Sequence, residues 1–149
     1  MANFIKNKKV RFNYELQKRY EAGIQLSGIE VKSIRGYKGS LIGSHVVIRG
    51  REAFLVGAKI PPYQVNNTPA GYDSKRARKL LLSKKEITEL TEFERQKGLT
   101  LVPIAVYNSG RNLKLSFAVA RGKKKYDKRE TIRRREADIE MSRSLKNKR

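Results

Sequence analysis

Residues 13–20 alternate Tyr14, Leu16, Lys18 and Tyr20 with Asn13, Glu15, Gln17 and Arg19. A period of two places the bulky side chains on one face of an extended strand. Two further segments read as β-hairpins. Val46-Val47-Ile48 and Ala53-Phe54-Leu55-Val56 flank Arg49-Gly50-Arg51-Glu52, with glycine available for the turn. Leu101 to Tyr107 and Asn112 to Val119 flank a turn at Asn108-Ser109-Gly110. Pro103 cannot donate to a ladder, so the first strand of this second hairpin is expected to begin at an edge or a bulge. After Glu21-Ala22-Gly23 a separate short strand is expected over 24–26. A long first strand, two hairpins and short intervening helices predict a mainly β fold: a small antiparallel barrel of the oligonucleotide-binding (OB) type with short flanking helices.

Three helices share one starting device. Ser27 with Glu30, Ser83 with Glu86 and Asp127 with Glu130 each place a capping oxygen three residues before a glutamate. At that spacing the two side chains satisfy orphan N–H groups reciprocally. The first helix should stop near Gly36. The second carries Ile87, Leu90 and Phe93 at helical spacing, sets Glu86, Glu89, Glu92 and Glu94 outside, and should end at Gly98. The third has only Ile132, Ala137, Ile139, Met141 and Leu145 as apolar residues over 128–145. That stripe is too thin to dock on a body. The segment is expected to be disordered alone and helical when phosphates neutralise it, the alternative being a solvated, frayed tail. The domain division expected is therefore a barrel over 1–120 and a basic tail over 121–149.

Charge points the same way. The 149 residues contain 35 Lys+Arg and 14 Asp+Glu, a formal net charge of +21. Residues 1–11 (Lys6, Lys8, Lys9, Arg11) and 75–85 (Lys75, Arg76, Arg78, Lys79, Lys84, Lys85) carry no acid, and residues 121–149 hold thirteen bases against five acids. A nearly neutral body thus wears three basic patches, whose self-repulsion a polyanion would relieve. Phe12 and Tyr14 adjoin the first patch, Tyr72 the second and Tyr126 the third, placing stacking faces beside phosphate-binding cations. Core burial is the competing role for Phe12 and Tyr14. The long stretch 61–73, with Pro61-Pro62 and Pro69-Ala70-Gly71, is expected to be an uncovered loop.

Catalysis finds little support. With no Cys and a single His, thiolate chemistry, Cys metal sites and paired imidazoles are excluded. Gly36-Tyr37-Lys38-Gly39-Ser40 lacks the spacing of a phosphate-binding loop and follows a helix rather than a strand. Capping accounts for Glu30, so Glu21 and Glu30 do not make a carboxylate pair, and His45 reads as a strand residue. No apolar run approaches the ~20 residues of a membrane span, and no signal peptide is recognisable at the start. The expectation is a cytoplasmic, non-enzymatic binder with no cofactor, no metal and no membrane partner.

Tyr20-Glu21-Ala22-Gly23-Ile24, Gly28-Ile29-Glu30-Val31-Lys32-Ser33, Arg78-Lys79-Leu80-Leu81-Leu82, Lys97-Gly98-Leu99-Thr100-Leu101-Val102-Pro103 and the run from Ala120 to Glu130 (ARGKKKYDKRE) occur in the order found in one family. The chain strongly resembles the small protein B, or SsrA-binding protein, family over nearly its whole length. The resemblance implies an OB-type barrel and a tail unstructured in solution. It also implies binding to the tRNA-like domain of transfer-messenger RNA (tmRNA, SsrA RNA), as a monomer with one copy per RNA. In trans-translation the protein replaces the missing anticodon stem, so that the pair mimics a tRNA on a stalled ribosome.

By the same resemblance, Glu21, Leu81 and Lys114 belong to the tmRNA-binding face. Lys8, Lys9, Arg11, Lys75, Arg76, Arg78 and Lys79 match its positive surround. In the tail, Gly122 matches a hinge. Lys123, Lys124, Tyr126, Asp127, Lys128 and Arg129, with Arg133 and Arg134 beyond, match the part that enters the 16S rRNA decoding centre and the empty mRNA channel. Phe12 stands where the family often has His, and Tyr126 where it has His or Tyr. A ribosomal or assembly protein that binds one rRNA site through barrel and tail is the second reading of the same features.

Overall fold

The computed structural model describes residues 3–123 and, beyond them, residues 132, 133, 135–137 and 139, each helical. Seven strands are present: β1 (Asn3–Lys6), β2 (Tyr14–Ile24), β3 (His45–Arg49), β4 (Glu52–Val56), β5 (Arg78–Leu81), β6 (Leu99–Ser109) and β7 (Asn112–Gly122). Three helices accompany them: α1 (Val10–Asn13), α2 (Gly28–Arg35) and α3 (Lys84–Arg95). The order β6-β3-β4-β5-β2-β7 closes because β7 also pairs with β6, and β1 adds to the outside of β6. Every pairing is antiparallel. The fold is the expected mainly β, OB-type barrel, and closure removes the unpaired edges an open sheet would present.

The interior is filled from alternate positions of each strand, with Tyr20, Ala22, Val46, Ile48, Leu55, Leu80, Leu101, Leu115, Phe117 and Val119 in one cluster. Each such aliphatic or Phe side chain contributes about 1.5–3 kcal/mol by leaving water. Helix α3 joins β5 to β6 and sends Leu90 fully into this cluster, with Ile87 and Phe93 packed beside it. Both predicted capping boxes in this region are formed, Ser27 with Glu30 and Ser83 with Glu86.

The β3–β4 turn is Gly50-Arg51, with φ of 58° and 66°. Two positive φ angles give the primed turn whose twist matches that of the flanking strands, and the glycine adopts its share without steric cost.

Several expectations need revision. The break after Gly23 is absent: β2 is one strand of eleven residues whose last two pair with β5, Gly23 pairing with β7 as well. Gly23 is accommodated because it lies in the ladder opposite both Lys114 and Leu81. β5 was hidden inside the second basic patch, and β1 and α1 are too short to carry a periodic signal. Helix α3 ends at Arg95, before Gly98. Glu89 and Glu94 are not simply solvated. Glu89 accepts from the Tyr20 hydroxyl and the Lys18 ammonium, while Glu94 accepts from the Ile48 N–H at 2.9 Å and from Arg49 at 3.3 Å. The second hairpin turns at Gly110-Arg111, one step later than expected. Pro103 does mark a bulge, between Pro103 and Ala105. The third capped segment, 127–130, lies outside the described residues.

Candidate nucleic-acid interface

Side chains that alternate out of the barrel wall make a continuous outer face on β6, β7, β2 and β5. In one row across it, Tyr107 pairs with Lys114, Lys114 with Gly23, and Gly23 with Leu81. In the next row Ala105 pairs with Ser116 and Ser116 with Glu21. The family-derived Glu21, Leu81 and Lys114 are therefore neighbours, although they come from three strands. Leu81 is 53% exposed, so nothing in the core requires an apolar residue there. Gly23, lacking a side chain, lets Leu81 lean over it, the Leu81 Cδ1 coming within 3.4 Å of where a Cβ would stand.

Further along the same wall, Val10 of α1 packs with Val102 and Ala120, and with the half-buried Tyr14 and Leu16. This small cluster fixes α1 and the turn before it, which together expose Lys8, Lys9 and Arg11. Tyr14 packs one side of its ring on that cluster and keeps part of it in solvent. Arg19, Glu21, Tyr107, Lys114 and Ser116 line an open groove of about 950 Å³ whose rim carries Lys85 and Glu86 of α3. Arg19 and Tyr107 were missed by sequence reasoning. The alternation in β2 and β6 could have indicated them, but bulges at Leu16/Lys18 and Pro103/Ala105 shift the phase.

The second basic patch divides. Lys75 is exposed, and Lys79 lies partly exposed on the outward side of β5 beside Leu81, with its ammonium 3.1 Å from Glu52. Arg78 is a correction. It points into the barrel, is 0% exposed, and gives Nε to Glu30 Oε2 at 2.7 Å, Nη1 to the carbonyls of Ala58 and Arg76 at 2.8 and 3.0 Å, and Nη2 to that of Ser74 at 2.9 Å. With each guanidinium nitrogen engaged and no exposed surface, it cannot contact RNA. Arg76 is intermediate: it pairs with the other oxygen of Glu30 and keeps part of its side chain in solvent. Burial opposes ionisation of Glu30, yet Arg76, the Ser27 N–H and Arg78 together hold its carboxyl below the usual carboxylate range. Tyr72 turns its hydroxyl inward to the Ile60 carbonyl at 2.8 Å, and burial raises its phenol.

Burial, and then the adjacent Glu21 carboxylate, push the Tyr107 phenol up to about 12. Of the tail residues, Gly122 is the last residue of β7, opposite Tyr14, and the Lys123 N–H donates to the Asn13 carbonyl at 2.8 Å. Arg133 is exposed and helical. Lys124, Tyr126, Asp127, Lys128, Arg129 and Arg134 lie outside the described residues. Among the described residues no group of three or more His, Cys, Asp or Glu is placed to hold a metal ion, and no helix is long and apolar enough to cross a membrane.

The fold and this outer face define the class: an OB-type barrel presenting a polar strip with a solvent-exposed leucine, flanked by a basic turn. The family model for the SmpB protein matches residues 4–147. The chain is 45% identical over 140 residues to the SsrA-binding protein of Gloeothece citriformis, covering 94% of this chain and 90% of that one. Against the SsrA-binding protein of Chloroflexus aggregans it is 44% identical over 146 residues, 98% and 92% of the two chains. A solved chain described as "tmRNA-SmpB: a journey to the center of the bacterial ribosome" superposes with a TM-score of 0.69 at 41% identity, covering 87% of this chain and 94% of that one. The chain belongs to the SmpB family.

Proposed function

We propose that this protein binds the tRNA-like domain of tmRNA through the outer face of its barrel and delivers that RNA to stalled ribosomes for trans-translation. It takes the place of an anticodon stem there, while the tail, residues 121–149, occupies the decoding centre and the empty mRNA channel. The observation that carries the first half is the junction of Glu21, Leu81 and Lys114 on two adjoining rows of one outer face, with Lys79 next to Leu81 and with Lys8, Lys9 and Arg11 further along the same wall. Lysines supply the salt-dependent phosphate contacts, and a carboxylate and an exposed leucine, which phosphates do not favour, supply contacts to bases and sugars. The second half rests on family membership and on the thirteen bases of the tail. A phosphate-lined groove without its usual strand suits a basic segment. The role is one of binding rather than catalysis, exercised in the cytoplasm by one monomer per RNA.

Truncation after Gly122 tests the division of labour. The barrel alone should retain affinity for the tRNA-like RNA while rescue of stalled ribosomes in a reconstituted translation system is lost. Loss of RNA binding in the truncated protein would favour a single rRNA site shared by barrel and tail.

A further inference from the structure

The left-handed residue that ends α2 is a tyrosine. The Lys38 N–H donates to the Ser33 carbonyl at 3.0 Å and the Tyr37 N–H to that of Ile34 at 2.9 Å. The helix therefore closes in a Schellman motif, with Tyr37 at φ 62° in the position that glycine usually holds. Gly36 stands one residue too early to take it. A bulky side chain in this conformation carries a steric cost, and residues held so concentrate at functional sites. The Tyr37 ring is 67% exposed and is braced on one side by the half-buried Phe4, at a centroid distance of 5.3 Å. The next residue, Lys38, sets its ammonium 5.8 Å from the centre of the Tyr63 ring, which is also exposed. Ser33 Oγ fastens the Tyr63 loop to α2 by donating to the Pro61 carbonyl at 2.7 Å. Residues 36–44 and 57–72 contain two lysines, Lys38 and Lys59, and no acid.

Two exposed tyrosine rings flanking a lysine, in segments without a carboxylate, combine π-faces for bases with cations for the phosphates between them. The patch also borders the outer face of the barrel. Arg35, two residues before Tyr37, lines a groove with Gly23, Leu81, Lys114 and Arg111, and its guanidinium donates to the Arg111 carbonyl at 3.1 Å. Two residues of chain span at most about 7 Å, so Tyr37 follows directly on that groove. We propose that the RNA face continues past Arg35 round this end of the barrel, where Tyr37 and Tyr63 stack unpaired bases of the same bound RNA. Every base has a π-face, so the patch adds affinity rather than a choice of sequence. The inference rests on the RNA-binding function proposed above and extends the surface that performs it.

The test measures binding of the full-length protein to the tRNA-like domain of tmRNA on filters, at roughly 50 and 200 mM salt. Tyr37→Gly should weaken binding about tenfold. The factor should be the same at both salts, because a lost stacking contact changes no phosphate neutralisation. Its melting temperature should be no lower than the native one, since glycine relieves the left-handed strain. Tyr37→Phe, which keeps the ring, should bind like the native protein, and Tyr63→Ser should lose about as much affinity as Tyr37→Gly. Native affinity in Tyr37→Gly, or equal losses in Tyr37→Phe and Tyr37→Gly, overturns the inference and leaves RNA binding intact. A lowered melting temperature with native affinity would assign the ring to packing on Phe4 and overturn it too. Native affinity with impaired rescue of stalled ribosomes would set the patch against ribosomal RNA, which also overturns it. Failure of the native protein to bind the RNA overturns the proposed function itself.

Discussion

Arg78 Nε lies 2.7 Å from Glu30 Oε2, and neither side chain has any exposed surface. The pair links β5 to the first turn of α2, and Glu30 simultaneously closes the Ser27 capping box. A buried pair of this kind is not a large net source of stability, but removal of one partner strands the other in a low-dielectric interior. Arg78→Ala should therefore lower the unfolding free energy by about 3–5 kcal/mol, measured by urea denaturation. Lys75→Ala, at an exposed position of the same segment, should change stability by less than about 0.5 kcal/mol. Equal effects would mean that Arg78 is not the structural member of this patch.

The same pair sets an acid limit. The folded-state pKa of Glu30 is lowered, so the native protein holds that proton less tightly than the unfolded chain, whose carboxyl titrates near about 4.3. The associated stability is fully present above the unfolded value and is lost as the pH falls through the folded one. Glu89, whose carboxyl is lowered by Lys18 and Tyr20, acts in the same direction. The urea midpoint should fall as the pH is taken below about 4. In Glu30→Gln that decline should be shallower and the neutral-pH midpoint lower, because the Arg78 charge remains buried. An unaltered pH slope in Glu30→Gln would remove Glu30 from this account.

What was legible in the chain was whatever repeats at short range. The Ser27 and Ser83 capping boxes and the turn at Gly50 are written in three or four consecutive residues, and all are present. Gly23 misled because its conformational freedom suggests a break, whereas pairing on both sides keeps it in the strand. Arg78 misled more seriously. Its six-residue neighbourhood reads as a cationic surface, and its inward direction follows only from the parity of β5, a strand that no pattern announced. Glu21, Leu81 and Lys114 are 60 and 33 positions apart in sequence, and only barrel closure makes them neighbours. Family resemblance supplied them; residue pattern alone did not. Tyr107 escaped both routes, because the bulge after Pro103 shifts which side of β6 faces outward.

Leu81 separates function from folding. It is exposed, so Leu81→Asp removes no core contact and should leave the thermal midpoint within about a degree or two, in line with the small effects of surface substitutions. On the proposed RNA face it should weaken tmRNA binding by at least about tenfold, because a carboxylate replaces an apolar contact and adds repulsion toward the RNA backbone. Leu80→Asp, one residue earlier and buried in the barrel, should instead unfold the protein. Circular dichroism melts paired with filter binding distinguish the two outcomes. Native affinity in a folded Leu81→Asp protein would take this row out of the interface.

Salt dependence tests how the basic segments share their work. Lys8, Lys9, Arg11, Lys75 and Lys79 are each exposed or partly exposed, whereas Arg78 is withdrawn from the count. If the barrel and its flanks neutralise about six phosphates, affinity for the tRNA-like RNA should fall about 10³-fold between roughly 50 and 200 mM salt. Each lysine changed to alanine in the Lys8-Lys9 turn should reduce the slope of log affinity against log salt by about 0.9 if its phosphate lies in duplex RNA treated like a duplex polyanion. Arg78→Ala, by contrast, should leave the slope unchanged in whatever fraction remains folded. Because the barrel contributes that slope by itself, truncation after Gly122 should preserve most of it. A slope that collapses on truncation would place the phosphate contacts of the tRNA-like RNA on the tail rather than on the barrel wall.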